Sequence, residues 1–217
     1  MTDTLALTQA LCTRLCHDLA GPVGAVAAGV ELVGGDPAQV DAETLQLIAG
    51  SSAAAAQKLK FLRIALGLPG SAAALAELPG VARGYLAAVA GLGGAAELVW
   101  PEPAALAPLA AALPEATPQI VANLMILGIE CIPRLKRLVL GGGPGPALAL
   151  DAIGEVSARL DPRAGLIALL ARPEAAALTP KTVQAVYAAD LVARHGGRLA
   201  AEAIDGGCRI IAVFDRG

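Results

Sequence analysis

The stretch Leu15-Cys16-His17-Asp18-Leu19-Ala20-Gly21-Pro22-Val23-Gly24-Ala25-Val26 holds one of the chain's two histidines. An acid follows the histidine directly, and a proline stands five residues after it. The stretch lies inside an apolar-periodic segment, Leu5 to Val33, that reads as a helix. Cys12, Cys16, Leu19, Val23, Val26, Val30 and Val33 recur in steps of four and three, the seam of a helix packed on another helix. His17 follows a seam residue directly, about 100° round the helix, and so falls at the flank of the seam, facing solvent. Pro22 is expected to interrupt or bend the helix, because it lacks an N–H and crowds the preceding turn. Met1 to Thr4 read as frayed or capping, and Gly34, Gly35 and Pro37 stop the helix.

A second helix is predicted from near Asp41 to about Leu66. Its seam is Leu45, Ile48, Ser52, Ala55, Leu59, Leu62 and Leu66. Two seamed helices joined by a short Gly-Gly-Asp-Pro turn form an antiparallel hairpin. One hairpin buries too little to be a stable core, so a second copy is expected, giving a four-helix bundle across a homodimer. Gly67 to Ser71 breaks the pattern, dividing the chain into a helical hairpin, residues 1–68, and a second domain, residues 72–217.

Bulk composition narrows the function classes. Among 217 residues, 56% are hydrophobic but only 2% aromatic, so the core is built on small aliphatic side chains. The net charge of −3 and the absence of a long basic run argue against nucleic acid as a partner. Mean hydropathy is +0.64, yet charge, Pro or Gly interrupts every apolar run before it reaches membrane-spanning length. The N-terminus has no basic run before an apolar core, so no secretory signal is expected and the reading is cytoplasmic. Cys12, Cys16, Cys131 and Cys208 show no zinc-type spacing and read as reduced, buried thiols.

The second domain reads as α+β, helices over a mixed sheet. Ala72 to about Ala90 is helical, and Ala95 to Trp100 is a short strand ended by prolines. Ala104 to Leu113 is open between helix and loop. Pro118 to Ile132 is a helix stopped by Pro133, and Leu135 to Leu140 is a strand entering the turn Gly141 to Pro146. Ala147 to Ala152 and Gly165 to Ala171 have strand character. Pro180 at the first helical position opens Lys181 to Arg194. Arg198 to Ile204 and Arg209 to Phe214 form a strand pair across Asp205-Gly206-Gly207.

His17-Asp18-Leu19 with Pro22 resembles the phosphoacceptor box of histidine kinases. The longer run from Leu11 to Ala25 is similar to the dimeric histidine phosphotransferases of alphaproteobacterial phosphorelays, the ChpT type, and the likeness extends over nearly the whole chain. It implies a kinase-like dimerisation hairpin followed by a degenerate histidine-kinase ATPase-like domain that binds no ATP. Where a kinase carries two asparagines four apart, this chain has Asn123 and then Leu127, which cannot ligate magnesium. Around Gly141 to Asp151 the Asp-x-Gly-x-Gly order for adenine is missing. Pro180 to Ala185 has no glycines to bare N–H groups to a triphosphate. His195-Gly196-Gly197-Arg198-Leu199 does resemble the kinase domain's last helix-to-strand turn.

The resemblance implies that His17 takes a phosphoryl group from a receiver-domain aspartate of a hybrid histidine kinase. It then passes the group to the aspartate of a response regulator. A neutral imidazole offers one unprotonated nitrogen at cytoplasmic pH. Asp18 is the candidate to orient the other ring nitrogen or accept its proton. Arg14, one turn earlier, would steady phosphoryl oxygens or pair with a partner's acid, the alternative being a solvated charge. Ala20, Gly21 and Gly24 leave room for a receiver to reach the histidine. Lys58, Lys60 and Arg63 would border the groove facing an acidic receiver, surface solubility being the alternative. His195 reads as a helix C-terminal residue favoured by the dipole. No cofactor is expected; magnesium belongs to the partner receivers. The alternatives are an ATP-dependent sensor histidine kinase core and a non-catalytic dimeric adaptor that only binds response regulators.

Overall fold

The computed structural model describes residues 3–35, 41–67, 73–90, 96–113, 115–143, 145–156 and 161–214. Helix α1 runs Thr4–Gly35 and α2 runs Ala42–Leu66. Asp3 caps α1, its carboxylate accepting from Leu5 N at 2.9 Å, and Asp41 caps α2, accepting from Thr44 N at 2.7 Å. Of the turn expected at Gly34 to Pro37, the two glycines belong to α1 and the rest lies outside the described residues, as does most of the boundary stretch Gly67 to Ser71. The two helices approach closely at Gly29, where a Cβ would overlap the side chain of Ile48.

Of the two outcomes expected at Pro22, interruption does not occur: α1 continues through it as one helix. Within one chain the expected seam is only partly covered. Cys12, Cys16, Val23 and Val30 are exposed and Leu19, Val26 and Val33 half-buried, while Leu15, Asp18, Pro22, Ala25 and Gly29 turn inward. The contact with α2 therefore uses a stripe roughly 100° from the one expected. On α2, Leu62 is buried, but Leu45, Ser52 and Leu59 are exposed.

Helix α3, Ala73–Ala90, lies across α2. Tyr85 stacks on Phe61 with ring centroids 4.2 Å apart and planes 10° from parallel. The remaining elements are β1 (Glu97–Val99), α4 (Pro103–Ala112), α5 (Thr117–Cys131), β2 (Arg134–Gly142), β3 (Ala147–Glu155), α6 (Pro162–Ala171), α7 (Val183–Arg194), β4 (Gly197–Ile204) and β5 (Gly207–Phe214). The sheet order is β1-β2-β3-β5-β4, with β1 parallel to β2 and the other pairs antiparallel.

Alternate residues of the sheet face one side: Leu138 and Leu140, Leu148, Leu150 and Ala152, Cys208, Ile210 and Ala212 are all buried. Helix α5 covers them, and its Ile120, Leu124, Met125 and Leu127 are fully buried. Each such side chain contributes ~1.5–3 kcal/mol of apolar burial. The same core continues through Phe61, Leu62 and Ala65 of α2. A smaller cluster joins Leu7 of α1 to Val183 and Val186 of α7. The hairpin is thus anchored to the second unit along both of its helices.

Three further local readings change. Gly165 to Ala171 is not a strand but the body of α6, because Asp161 accepts from Arg163 N at 3.1 Å and Pro162 stands at the first helical position. Helix α7 starts at Val183 rather than Lys181. Thr179 and Thr182 hold the preceding turn, Thr179 N donating to Thr182 Oγ1 at 3.0 Å and Thr182 N to Thr179 Oγ1 at 3.3 Å. Cys131 and Cys208 are buried as expected, but Cys12 and Cys16 are exposed.

Candidate functional site

His17 stands midway along α1 with its side chain 86% exposed. Its neighbours Ala20, Gly21 and Gly24 are exposed as well, and a Cβ placed on Gly21 or Gly24 would meet nothing within 4 Å. The chain therefore leaves an open approach along this face. His17 Nδ1 faces Asp18 Oδ1 at 3.4 Å. That is long for a hydrogen bond but correctly signed for a carboxylate facing a ring N–H. With Nδ1 turned to Asp18, Nε2 is left as the nitrogen for an incoming group.

Asp18 is itself held. Its Oδ2 lies 3.5 Å from Nε of Arg14, one turn back, and Arg14 Nη2 donates to the carboxylate of Glu130 at the end of α5. Arg14 is only 12% exposed. It faces Asp18 and Glu130, turned inward from the open face beside His17. The result is a chain of polar contacts running His17, Asp18, Arg14, Glu130, from α1 to the end of α5. Glu130 escapes a reading of the sequence because its partner is distant along the chain. Its one signal is being the single charged residue in the run Pro118 to Ile132.

Tyr85 also reaches this level of α1. Burial pushes its phenol up to about 12, with the Asp18 charge adding to the effect and Arg14 opposing it. Of the basic residues expected here, Lys58 is half-buried and its Nζ donates at 3.2 Å to the backbone oxygen of Asp18. Lys60 and Arg63 are exposed on other faces of α2. Lys60 follows Lys58 by two positions, about 200° round the helix, so the two cannot border one groove. His195 ends α7 and is remote in sequence and element from His17.

In the second unit, Asn123 is fully buried and donates to Ala65 O at 2.8 Å and Gln119 O at 2.7 Å, while its Oδ1 accepts from Gln184 at 2.5 Å. Leu127 is buried in the core at 1% exposure. Between α5, α6 and the start of α7 is a cavity of about 240 Å³ lined in part by Leu127, Glu130, Lys181 and Thr182. This is below the usual ~300–1,000 Å³ of small-molecule sites. Among the described residues, no group of three or more His, Cys, Asp and Glu side chains could hold a metal ion.

Three comparisons relate the chain to known proteins. A protein described as "Protein phosphotransferase ChpT" from Brucella abortus (strain 2308) is 41% identical over 70 residues, a stretch that is 32% of this chain and 32% of that protein. A solved structure titled "1.7 Angstrom Structure of a Bacterial Phosphotransferase" superposes with a TM-score of 0.72 over 98% of each chain at 23% identity, a likeness of fold. The family model "Histidine phosphotransferase C-terminal domain" matches residues 75–207. That match runs from α3 to the start of β5, the unit that carries Glu130 and the buried Asn123, and by it this chain belongs to the histidine phosphotransferase family.

Proposed function

We propose that this protein is a histidine phosphotransferase of a two-component phosphorelay, with His17 as its phosphoryl carrier. The observation that carries the reading is the side chain itself: an exposed imidazole whose Nδ1 faces a carboxylate and whose surroundings are small and open. The lone pair of Nε2 attacks the phosphorus of an aspartyl phosphate on a docked receiver domain. The P–O bond to the aspartate breaks and its carboxylate leaves. The ring, still protonated at Nδ1, becomes positively charged, and Asp18 offsets that charge. A response regulator's aspartate then takes the phosphoryl group by the reverse step. The magnesium for both steps belongs to the receivers' acidic sites, and this chain supplies neither ATP chemistry nor a metal.

In this reading residues 1–68 carry the phosphoryl group and residues 72–217 hold the hairpin and offer further surface to the receiver. Lys60 and Arg63 add positive charge to the hairpin, suited to an acidic partner. A second copy covers the exposed apolar stripe: Leu5, Val23 and Val30 of α1 are 66%, 55% and 55% exposed, and Leu45 and Leu59 of α2 are 54% and 48% exposed. No single described helix is long and apolar enough to cross a membrane. We place the homodimer in the cytoplasm, where receivers are found, and assign it no nucleic-acid partner.

The test is incubation with a receiver domain carrying labelled aspartyl phosphate. The wild-type chain should gain acid-labile label. His17→Gln should fold and dimerise normally, since the residue is exposed and its replacement costs within ~0.5 kcal/mol. Acid-labile label on that variant would refute the assignment.

A further inference from the structure

We infer that Lys58 is a positioning residue for His17, acting through the one carbonyl group that Pro22 deprives of its helical donor. The inference rests on the reading of His17 as phosphoryl carrier.

In an α-helix the N–H of residue 22 would donate to the carbonyl of residue 18. Proline has no N–H, and its ring presses against that same carbonyl. Such a site ordinarily kinks a helix or fills with water. Here α1 passes through Pro22 without a break, and the vacated acceptor is taken by another element: Lys58 Nζ of α2 lies 3.2 Å from Asp18 O. Asp18 and Lys58 are both half-buried, so the bond is partly shielded from solvent and charge-assisted.

The carbonyl in question belongs to the residue that follows His17. Its tilt sets the course of the backbone at positions 17 to 19. It thereby sets the line along which the imidazole meets the Asp18 carboxylate at 3.4 Å. Lys58 comes from the opposite helix of the hairpin, so the bond also fixes His17 relative to α2 and to α3, which packs on α2. The proline gives α1 a flexible point one turn after the phosphoryl carrier, and the lysine stiffens it. A basic residue whose role was to attract an acidic receiver would point outward, as Lys60 does; Lys58 points inward at a backbone oxygen.

The test is a double-mutant cycle in the full-length dimer. Pro22→Ala restores the N–H and makes the lysine's bond unnecessary. Two quantities are read: the initial rate of label transfer from a phosphorylated receiver to His17, and amide hydrogen exchange over residues 16–24. With Pro22 present, Lys58→Met should slow transfer about tenfold and speed exchange in that segment, because small misplacements of a reacting group cost rate steeply. In the Pro22→Ala background, Lys58→Met should change the rate less than about twofold and leave exchange unaltered, since the coupling partner is gone. Lys58→Arg, which keeps a donor, should recover most of the rate. If Lys58→Met unfolds the chain when Pro22 is present but not in the Pro22→Ala background, the coupling is shown in stability instead. Equal losses of rate in both backgrounds would mean the lysine acts by its charge toward the receiver, and the inference would fall. No effect of Lys58→Met with Pro22 present, on rate or exchange, would also dismiss it. If no receiver labels even the wild type, the phosphotransfer reading fails, and exchange alone still decides whether Lys58 holds the carbonyl.

Discussion

Asn123 Nδ2 donates at 2.8 Å to the backbone oxygen of Ala65, in the last turn of α2. One turn before it on α5, Gln119 Nε2 donates at 2.9 Å to Gly67 O. The last carbonyls of a helix have no partner within it. Two side-chain amides from α5 supply that partner and fasten the hairpin to the second unit. Asn123→Ala should therefore destabilise the fold by roughly 2–4 kcal/mol, because it strands Ala65 O and the Gln184 amide in a buried setting. Gln184→Met should cost clearly less. It strands only Asn123 Oδ1, and it removes Gln184 Oε1, which has no partner among the described residues. Urea unfolding at neutral pH ranks the pair, and an equal or larger loss for Gln184→Met would show that the clamp is wrongly assigned.

What could be read from the chain alone follows a physical divide. Local chemistry was legible. The hairpin helices, α3, α5 and the terminal strand pair were placed within a few residues, because apolar periodicity, caps and the Asp205-Gly206-Gly207 turn are short-range signals. Gly206 takes a φ of +62°, a conformation that suits glycine. His17 was legible as an exposed side chain from its place one step past a seam residue. The contacts that hold the site were not legible. Lys58 with Asp18 is separated by 40 positions and Arg14 with Glu130 by 116, and no pattern within a helix reports such pairings. What covers the seam was not legible for a related reason. Cys12, Val23 and Val30 are as regularly spaced as a core stripe, and periodicity does not say whether the same chain or another copy covers them.

That exposed stripe leads to a prediction about assembly. Val30 is 55% and Leu59 48% exposed within one chain. An aspartate at either position stays hydrated in a monomer, but in a dimer seam it would be a buried, unpaired charge costing several kcal/mol in order of magnitude. Val30→Asp and Leu59→Asp should therefore give folded monomers, with an unchanged far-ultraviolet circular dichroism spectrum and half the mass in sedimentation. A stable dimer from both variants would move the interface elsewhere.

The second unit should not take up ATP. Leu127 is packed in the core, Asn123 is committed to the end of α2, and Glu130 sets a carboxylate at the wall of the adjacent cavity. A triphosphate there would meet an acid and find no magnesium-ligating oxygen at position 127. Calorimetric titration with magnesium and millimolar ATP should show no saturable heat, and ATP alone should leave His17 unlabelled. A Kd tighter than about 0.1 mM, equivalent to roughly −5.5 kcal/mol, would revive the kinase reading.

Tyr85 makes the junction between α2 and α3 sensitive to alkaline pH. It is 6% exposed and stacked on Phe61, and burial raises its phenol from 10.0 to about 12. The sign follows from proton linkage. Below pH about 10 both folded and unfolded chains keep the proton, and the stability of the junction is fully present. Between about 10 and 12 the unfolded chain releases it while the folded chain does not, so stability falls as pH rises, by roughly 3 kcal/mol over the window. Above about 12 both states are ionised and the loss levels off. Tyr187 is also raised by its burial and contributes in the same direction, so the measurement must be a difference. Tyr85→Phe keeps the ring against Phe61 and removes the ionisable oxygen. Urea unfolding of wild type and Tyr85→Phe at pH 8, 10 and 11.5 should show similar stabilities at pH 8 and a progressively larger advantage for the variant above pH 10. Parallel declines in the two proteins would mean that the Tyr85 phenol ionises as readily folded as unfolded. Its burial against Phe61, beside the Asp18 charge, would then not be present in solution.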